Sequence, residues 1–159
     1  ESYLIMSSSA ELTLRQETEL EPVGCETVGR SCMCTGRDTG LKPASGSFKT
    51  EGMLIVPCSM KTVAGIHSGY ADNLILRAAD VTVKEQRTLV LAARETPLSG
   101  IHLRNLYELS MLPGVRIIPP MLTFYHKPEN IDDMVYHMAA KLLEPFGIEA
   151  KEYRRWNGL

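Results

Sequence analysis

The sequence is short of the features that mark several large classes of protein. No apolar run approaches the ~20 residues needed to cross a bilayer; the longest, such as Thr88 to Ala93, fall far below it. Charge of one sign is lacking too. Lys and Arg number 17 against 19 Asp and Glu in 159 residues, a formal net charge of -2, which gives no electrostatic case for nucleic acid or an anionic membrane as partner. The four cysteines (Cys25, Cys32, Cys34, Cys58) form no C-x-x-C repeat and have no histidine pair at ligand spacing. Free thiols in a reducing compartment are expected, and structural zinc is not. There is no internal repeat and no low-complexity tract. Glu1 to Met6 lack the basic start of a secretory leader, and a chain that opens on Glu inside an apparent strand is expected to be a fragment or processed product.

What is present reads as one domain, residues 1–159, long enough to bury roughly 70% of its unfolded surface. Four short apolar runs, Tyr3 to Met6, Met53 to Val56, Leu89 to Ala93 and Val115 to Ile118, are continuous and do not alternate, which predicts buried parallel strands. Between them lie stretches of helical period: Ala10 to Leu20, Ala71 to Glu85, Ile101 to Leu112 and Ile131 to Phe146. Strand alternating with helix predicts a three-layer α/β fold with a parallel sheet. Glu21 to Pro43 fits neither period; it holds glycines at 24, 29, 36 and 40 and three of the cysteines, so 21–43 is expected to be irregular, with a tail over 147–159.

The polar residues cluster where predicted strands end, which is where ligands of such folds bind. Ser7, Ser8 and Ser9 follow the first run, Ser59 to Thr62 the second, Arg94 and Glu95 the third, and Phe124, Tyr125 and His126 come after the fourth. Serines opening a helix serve first as caps, yet two such openings also suit an anion; both readings stay open. Arg94 and Glu95 stand where burial ends, and charges there are costly unless paired or used. Arg77 and Lys84, seven apart, share a helix face, a spacing usual for a solvated surface. Asp132 and Asp133 start a helix, where acids serve the dipole, so no metal is expected from them.

Several motifs, in order, resemble the UbiX family of flavin prenyltransferases, which includes a fungal protein long called phenylacrylic acid decarboxylase. They are Gly46-Ser47-Phe48, Met53 to Thr62, Tyr70 to Leu74, Arg77 to Val81, Lys84-Glu85, Arg94 to Leu98, His102-Leu103 and Phe124-Tyr125-His126 with Pro128. The ending, Arg154 to Gly158, resembles the subset encoded beside hydroxyarylic acid decarboxylases. The resemblance implies a Rossmann-like (flavodoxin-like) α/β/α domain that transfers a dimethylallyl group from dimethylallyl phosphate to N5 and C6 of reduced FMN. The product, prenylated FMN, would serve UbiD-type decarboxylases. It further implies that Ser7, Ser59, Met60, Lys61, Thr62 and Arg94 contact FMN, and that Arg77, Lys84, Tyr125 and Lys141 hold the dimethylallyl phosphate. Glu17 and Glu95 would handle protons, with Arg77 and Lys84 also counted in the catalytic set. No metal is implied. A homododecamer with the flavin near a subunit boundary is, as is a cytoplasmic location, or a mitochondrial one if the source is fungal.

Three departures accompany the resemblance. The family's opening strand and G-x-S/T-G-A turn fall upstream of Glu1, so the first β-α unit is expected to be absent, leaving unpaired edges near the middle of the sheet and a chain that is poorly soluble or inactive by itself. Lys141 stands where the family usually has Arg, keeping charge but losing the bidentate fork. Residues 21–42 have no clear counterpart. Alternatives are an FMN-dependent decarboxylase of phenylacrylic or hydroxybenzoic acids, or its subunit, and a non-catalytic flavin-binding fragment.

Overall fold

A computed structural model of the chain describes residues 2–19, 31–35 and 42–151. Among the described residues, five strands and five α-helices follow in the order β1 (Ser2–Met6), α1 (Ser8–Glu17), β2 (Ser31–Thr35), β3 (Gly52–Cys58), α2 (Met60–Ser68), α3 (Leu74–Lys84), β4 (Thr88–Ala93), α4 (Gly100–Ser110), β5 (Val115–Ile117) and α5 (Ile131–Leu143). Short 3-10 turns occupy Lys42–Ala44 and Glu144–Phe146. Among the described residues the pairing is parallel throughout, in two sheets: β1 with β2, and β3-β4-β5 with β4 in the centre.

β4 explains the layering. Leu89, Val90, Leu91, Ala92 and Ala93 are all buried, as a continuous apolar run in a parallel sheet requires. Successive side chains leave a strand on opposite faces. Leu89, Leu91 and Ala93 join Ile55, Val63, Ala79 and Leu109 in one core, under α2, α3 and α4. Val90 and Ala92 join Leu142, with Leu54, Met138 and Phe146 against them, in a second core under α5. Burying each of the larger residues contributes about 2 kcal/mol.

Local chemistry sets the element ends. Asn73 caps α3, accepting from Leu76 N–H at 3.0 Å, and Asn130 caps α5, accepting from Asp133 N–H at 2.8 Å. Gly69, in the left-handed region at φ 69°, closes α2, a conformation that glycine adopts without a Cβ penalty. The β3–β4 register shifts between Ile55 and Cys58, and Pro57, which has no N–H for a ladder, falls in that irregularity. Arg87, just before β4, binds the preceding connection through the carbonyls of Phe48 at 2.8 Å and Gly46 at 2.9 Å.

The segment expected to be irregular contains a strand, which corrects that reading. β2 pairs with β1 residue for residue, from Ser2 opposite Ser31 to Met6 opposite Thr35. Its order comes from that partner and not from its own sequence, which has no β-branched run. The remainder of 21–43 up to residue 41, and most of the tail with its Arg154 to Gly158 motif, lie outside the described residues. Tyr3, at the start of β1, meets Phe48 edge-on with ring centroids 5.0 Å apart. That contact anchors the start of β1 beside the Arg87-bound connection and leaves Ser7 at the strand's other end.

Gly52, opening β3, has no room for a side chain: a Cβ there would lie 2.3 Å from the Thr88 carbonyl and 2.7 Å from the Phe146 ring. Gly52→Ala should therefore push β3 from β4 and cost about 2–3 kcal/mol. Urea denaturation measures this, and an unchanged midpoint would refute the tight approach.

Candidate active site at the strand ends

The carboxyl ends of β3 and β4 lie together, the Arg94 N–H donating to the Cys58 carbonyl at 3.3 Å. From this rim β3 passes through Ser59 into α2, and β4 passes through Arg94 and Glu95 into an exposed connection. Ser59 caps α2: its Oγ accepts from Thr62 N–H at 3.3 Å and lies 3.1 Å from Thr62 Oγ1. Ser7 caps α1 in the same way, accepting from Ala10 N–H at 3.1 Å. Capping thus uses both hydroxyls. It serves only part of the set of amides that a helix start leaves without an intrahelical partner, so the first turn of α2, with Lys61 exposed on it, keeps its preference for an anion. Met60, in the same turn, has its side chain buried in the core, which leaves its backbone to face a ligand.

Arg94 and Glu95 are both exposed, and the Glu95 carboxylate accepts from Thr96 N–H at 3.1 Å. Extended by one residue, the β4 alternation puts position 94 on the α5 side of the sheet. Cys58, ending β3, is wholly buried, and burial pushes its thiol up to about 12. Glu17, exposed, is the last residue of α1, about 13 Å down the helix axis from its start.

The cations expected at the phosphate do not all reach this rim within one chain. Lys84 ends α3, and its Nζ lies 2.9 Å from Glu85 and near Gly46, at the end of the sheet where β4 begins. The length of β4, about 17 Å, separates that end from Arg94. Arg77, two turns earlier on α3, binds Asp80 at 2.7 Å, and Lys141 on α5 binds Glu144 at 2.6 Å. Each of the three is thus paired with a carboxylate of its own neighbourhood; the Lys84 ammonium holds the Glu85 carboxyl below its ordinary value. Exposed pairs of this kind are worth only ~0–1 kcal/mol, so a phosphate can displace them.

A second cluster joins the β5–α5 connection to α5. The Tyr125 hydroxyl lies 3.0 Å from His137 Nε2. The His126 and His137 rings stack with centroids 4.1 Å apart and planes 6° from parallel, and Tyr125 meets both edge-on. His126 Nε2 is buried with no hydrogen-bond partner among the described residues. Sequence reasoning did not single out His137. The available signal was a histidine inside the apolar stripe of Met134, Met138 and Leu142, twelve positions after an aromatic at a strand-end connection. Among the described residues no group of three or more His, Cys, Asp or Glu is arranged to hold a metal, and no helix is long and apolar enough to cross a membrane.

Parallel strands between helical layers, with capped helix starts and an arginine at the strand ends, define a doubly wound α/β protein built for an anionic cofactor. The chain matches the family described as Flavoprotein over residues 3–143. It is 47% identical over its full length to a probable UbiX-like flavin prenyltransferase of Streptomyces sp. (strain D7), covering 78% of that protein. It is 50% identical over 99% of its length to the flavin prenyltransferase LpdB of Lactiplantibacillus plantarum, covering 83% of it. Among solved structures, the dodecameric FMN-dependent UbiX-like decarboxylase from Escherichia coli O157:H7 superposes with a TM-score of 0.94 at 47% identity, over 99% of this chain and 84% of that one. AnUbiX (PadA1), in complex with FMN and dimethylallyl pyrophosphate, gives 0.93 at 44% identity, over 99% and 82%. The chain belongs to the flavoprotein family and, within it, to the UbiX-like flavin prenyltransferases.

Burial first, then the charges of His126 and Lys141, hold His137 below the ordinary imidazole value. With the folded value below the unfolded one, the neutral ring's contribution to stability is present above about pH 6.5 and is lost as pH falls through the depressed value. Acidifying from about pH 7.5 to about pH 5 should therefore lower the melting temperature more in the native protein than in His137→Phe. Equal losses in calorimetry would show that His137 is not the group responsible.

Proposed function

We propose that this chain transfers a dimethylallyl group from dimethylallyl phosphate to N5 and C6 of reduced FMN, giving the prenylated flavin used by UbiD-type decarboxylases. The observation that carries the reading is the rim itself: Arg94 beside Cys58, and the Ser59-capped start of α2 next to it. A helix start and an exposed guanidinium beside it match a flavin phosphate. The full-length similarity to flavin prenyltransferases supports the same substrate class.

In this reading Ser7, Ser59, Lys61, Thr62, Arg94 and the Met60 backbone hold FMN. Breaking an allylic C–O bond leaves inorganic phosphate and electron-poor carbon, so a site without a metal needs fixed cations at the leaving oxygen atoms. Arg77, Lys84 and Lys141 supply them, with Tyr125 as a neutral donor. Because Lys84 sits at the opposite end of β4 from Arg94, a second copy of the chain is the natural source of the α3 cations at each rim. The dodecameric relative supports assembly of that kind. The bound flavin supplies the nucleophilic positions and a π-rich wall. Glu95, exposed at the rim, suits removal of the ring proton or protonation of the departing phosphate, and Glu17 is the second carboxylate for that exchange. The yeast relative, a mitochondrial flavin prenyltransferase, supports a mitochondrial site if the source is fungal; the reading otherwise is a cytoplasmic one.

The similarity to the FMN-dependent UbiX-like decarboxylase of Escherichia coli favours a second reading, direct release of carbon dioxide from aromatic acids. Incubation with reduced FMN and dimethylallyl phosphate separates the two. A prenylated flavin by mass spectrometry supports the transferase, whereas carbon dioxide release without a partner enzyme supports the decarboxylase.

Glu95→Gln should lower product formation by at least about a hundredfold, the usual scale of a lost proton-transfer group, while FMN still binds; near-normal turnover would remove Glu95 from the mechanism. Arg94→Ala should weaken FMN retention about tenfold or more, the scale of a lost charge-assisted bond. Unchanged flavin content after gel filtration would exclude that contact.

A further inference from the structure

We infer that His137 is a positioning residue for Tyr125: it donates from Nε2–H to the phenol oxygen and so turns the Tyr125 O–H outward, toward the phosphate of the prenyl donor. The inference rests on the proposed transferase reading for the identity of that phosphate.

The geometry supplies each step. Tyr125 is 55% exposed whereas His137 is 8% exposed, so the mobile partner is the tyrosine and the fixed one is the imidazole. Their polar atoms lie 3.0 Å apart. His137 is fixed twice, by its place in the buried stripe of α5 and by the face of His126 stacked on it. On that helix Lys141 is four positions on, hence the next residue along the same face. Tyr125, carried on a connection whose course would otherwise leave its hydroxyl free to swing, is therefore tethered about one helical turn from a lysine.

Two neutral tautomers fit the 3.0 Å contact, and only one is productive. If the phenol donates to a bare Nε2, its oxygen offers only lone pairs outward, which repel phosphate oxygens. If Nε2 carries the proton, the phenol accepts from it and its own O–H is released to donate to an anion. The stack of His126 on His137 at 4.1 Å also disfavours a second charge on the pair, so the neutral Nε2–H form meets both requirements.

The test is a double-mutant cycle with Tyr125→Phe and His137→Phe, reading KM for dimethylallyl phosphate and kcat separately. Each single change should raise KM about tenfold, the scale of one bond to a charged group. kcat should fall too, since the bond strengthens as charge gathers on the departing phosphate. The double variant should be no worse than Tyr125→Phe alone, and His137→Gln, which can present an N–H to the same oxygen, should recover most of the loss. A wild-type KM in His137→Phe, effects that multiply in the double variant, or no recovery in His137→Gln would each overturn the inference. A readout that needs no turnover keeps it separate from the transferase reading. Nitrogen-15 shifts of the His137 ring should report a protonated Nε2 whose resonance moves in Tyr125→Phe, and an unprotonated Nε2 would overturn the assignment even in an active enzyme. If the native protein made no prenylated flavin while the nitrogen shifts were as expected, the transferase reading would fail and the tethering would stand.

Discussion

The constraint on which the candidate site depends is the parallel pairing of β3, β4 and β5 around a central strand buried on both faces. Parallel strands bring their carboxyl ends to one side, and the crossovers between them must be helices. Cys58, Arg94 and the chain leaving β5 are thereby gathered without any contact between their side chains being needed. β4 cannot tolerate a polar side chain along its buried run, so the first charged residues the chain can carry, Arg94 and Glu95, come where burial stops. The position of the charges is a consequence of the core.

Much of this was legible from residue types. The run Leu89 to Ala93 gives a doubly buried strand, and the structure buries all five. Ser59 and Ser7 are read as helix openings and both are caps. Helix spans agree to within a few residues, with Ala71 to Glu85 becoming Leu74–Lys84. The strand Ser31–Thr35 was not legible because its sequence, Ser-Cys-Met-Cys-Thr amid glycines, has little intrinsic β preference; it is a strand because β1 offers it a partner in register. That information is tertiary.

The placement of the expected phosphate ligands was legible only in part. Spacing puts Arg77 and Lys84 on one helix face, and a helix that feeds a parallel strand delivers its last residue to the start of that strand, so the place of Lys84 at the amino end of β4 follows from order along the chain. The carboxylates that pair with Arg77 and Lys141 lie three residues further along the chain, also within reach of a linear reading. A linear reading could not pair Tyr125 with His137, since the turn that brings the connection back to α5 is not coded by either residue.

Cys58 has a consequence for selectivity. A protein that generates an electrophilic allyl group exposes its own nucleophiles to alkylation, and a thiolate at the rim would compete with the flavin for that carbon. Cys58 is next to Ser59 in sequence, yet it is sealed in the core and burial raises its thiol to about 12. A thiol held in its protonated form is a poor nucleophile. The packing that ends β3 thus keeps this thiol from competing with the flavin.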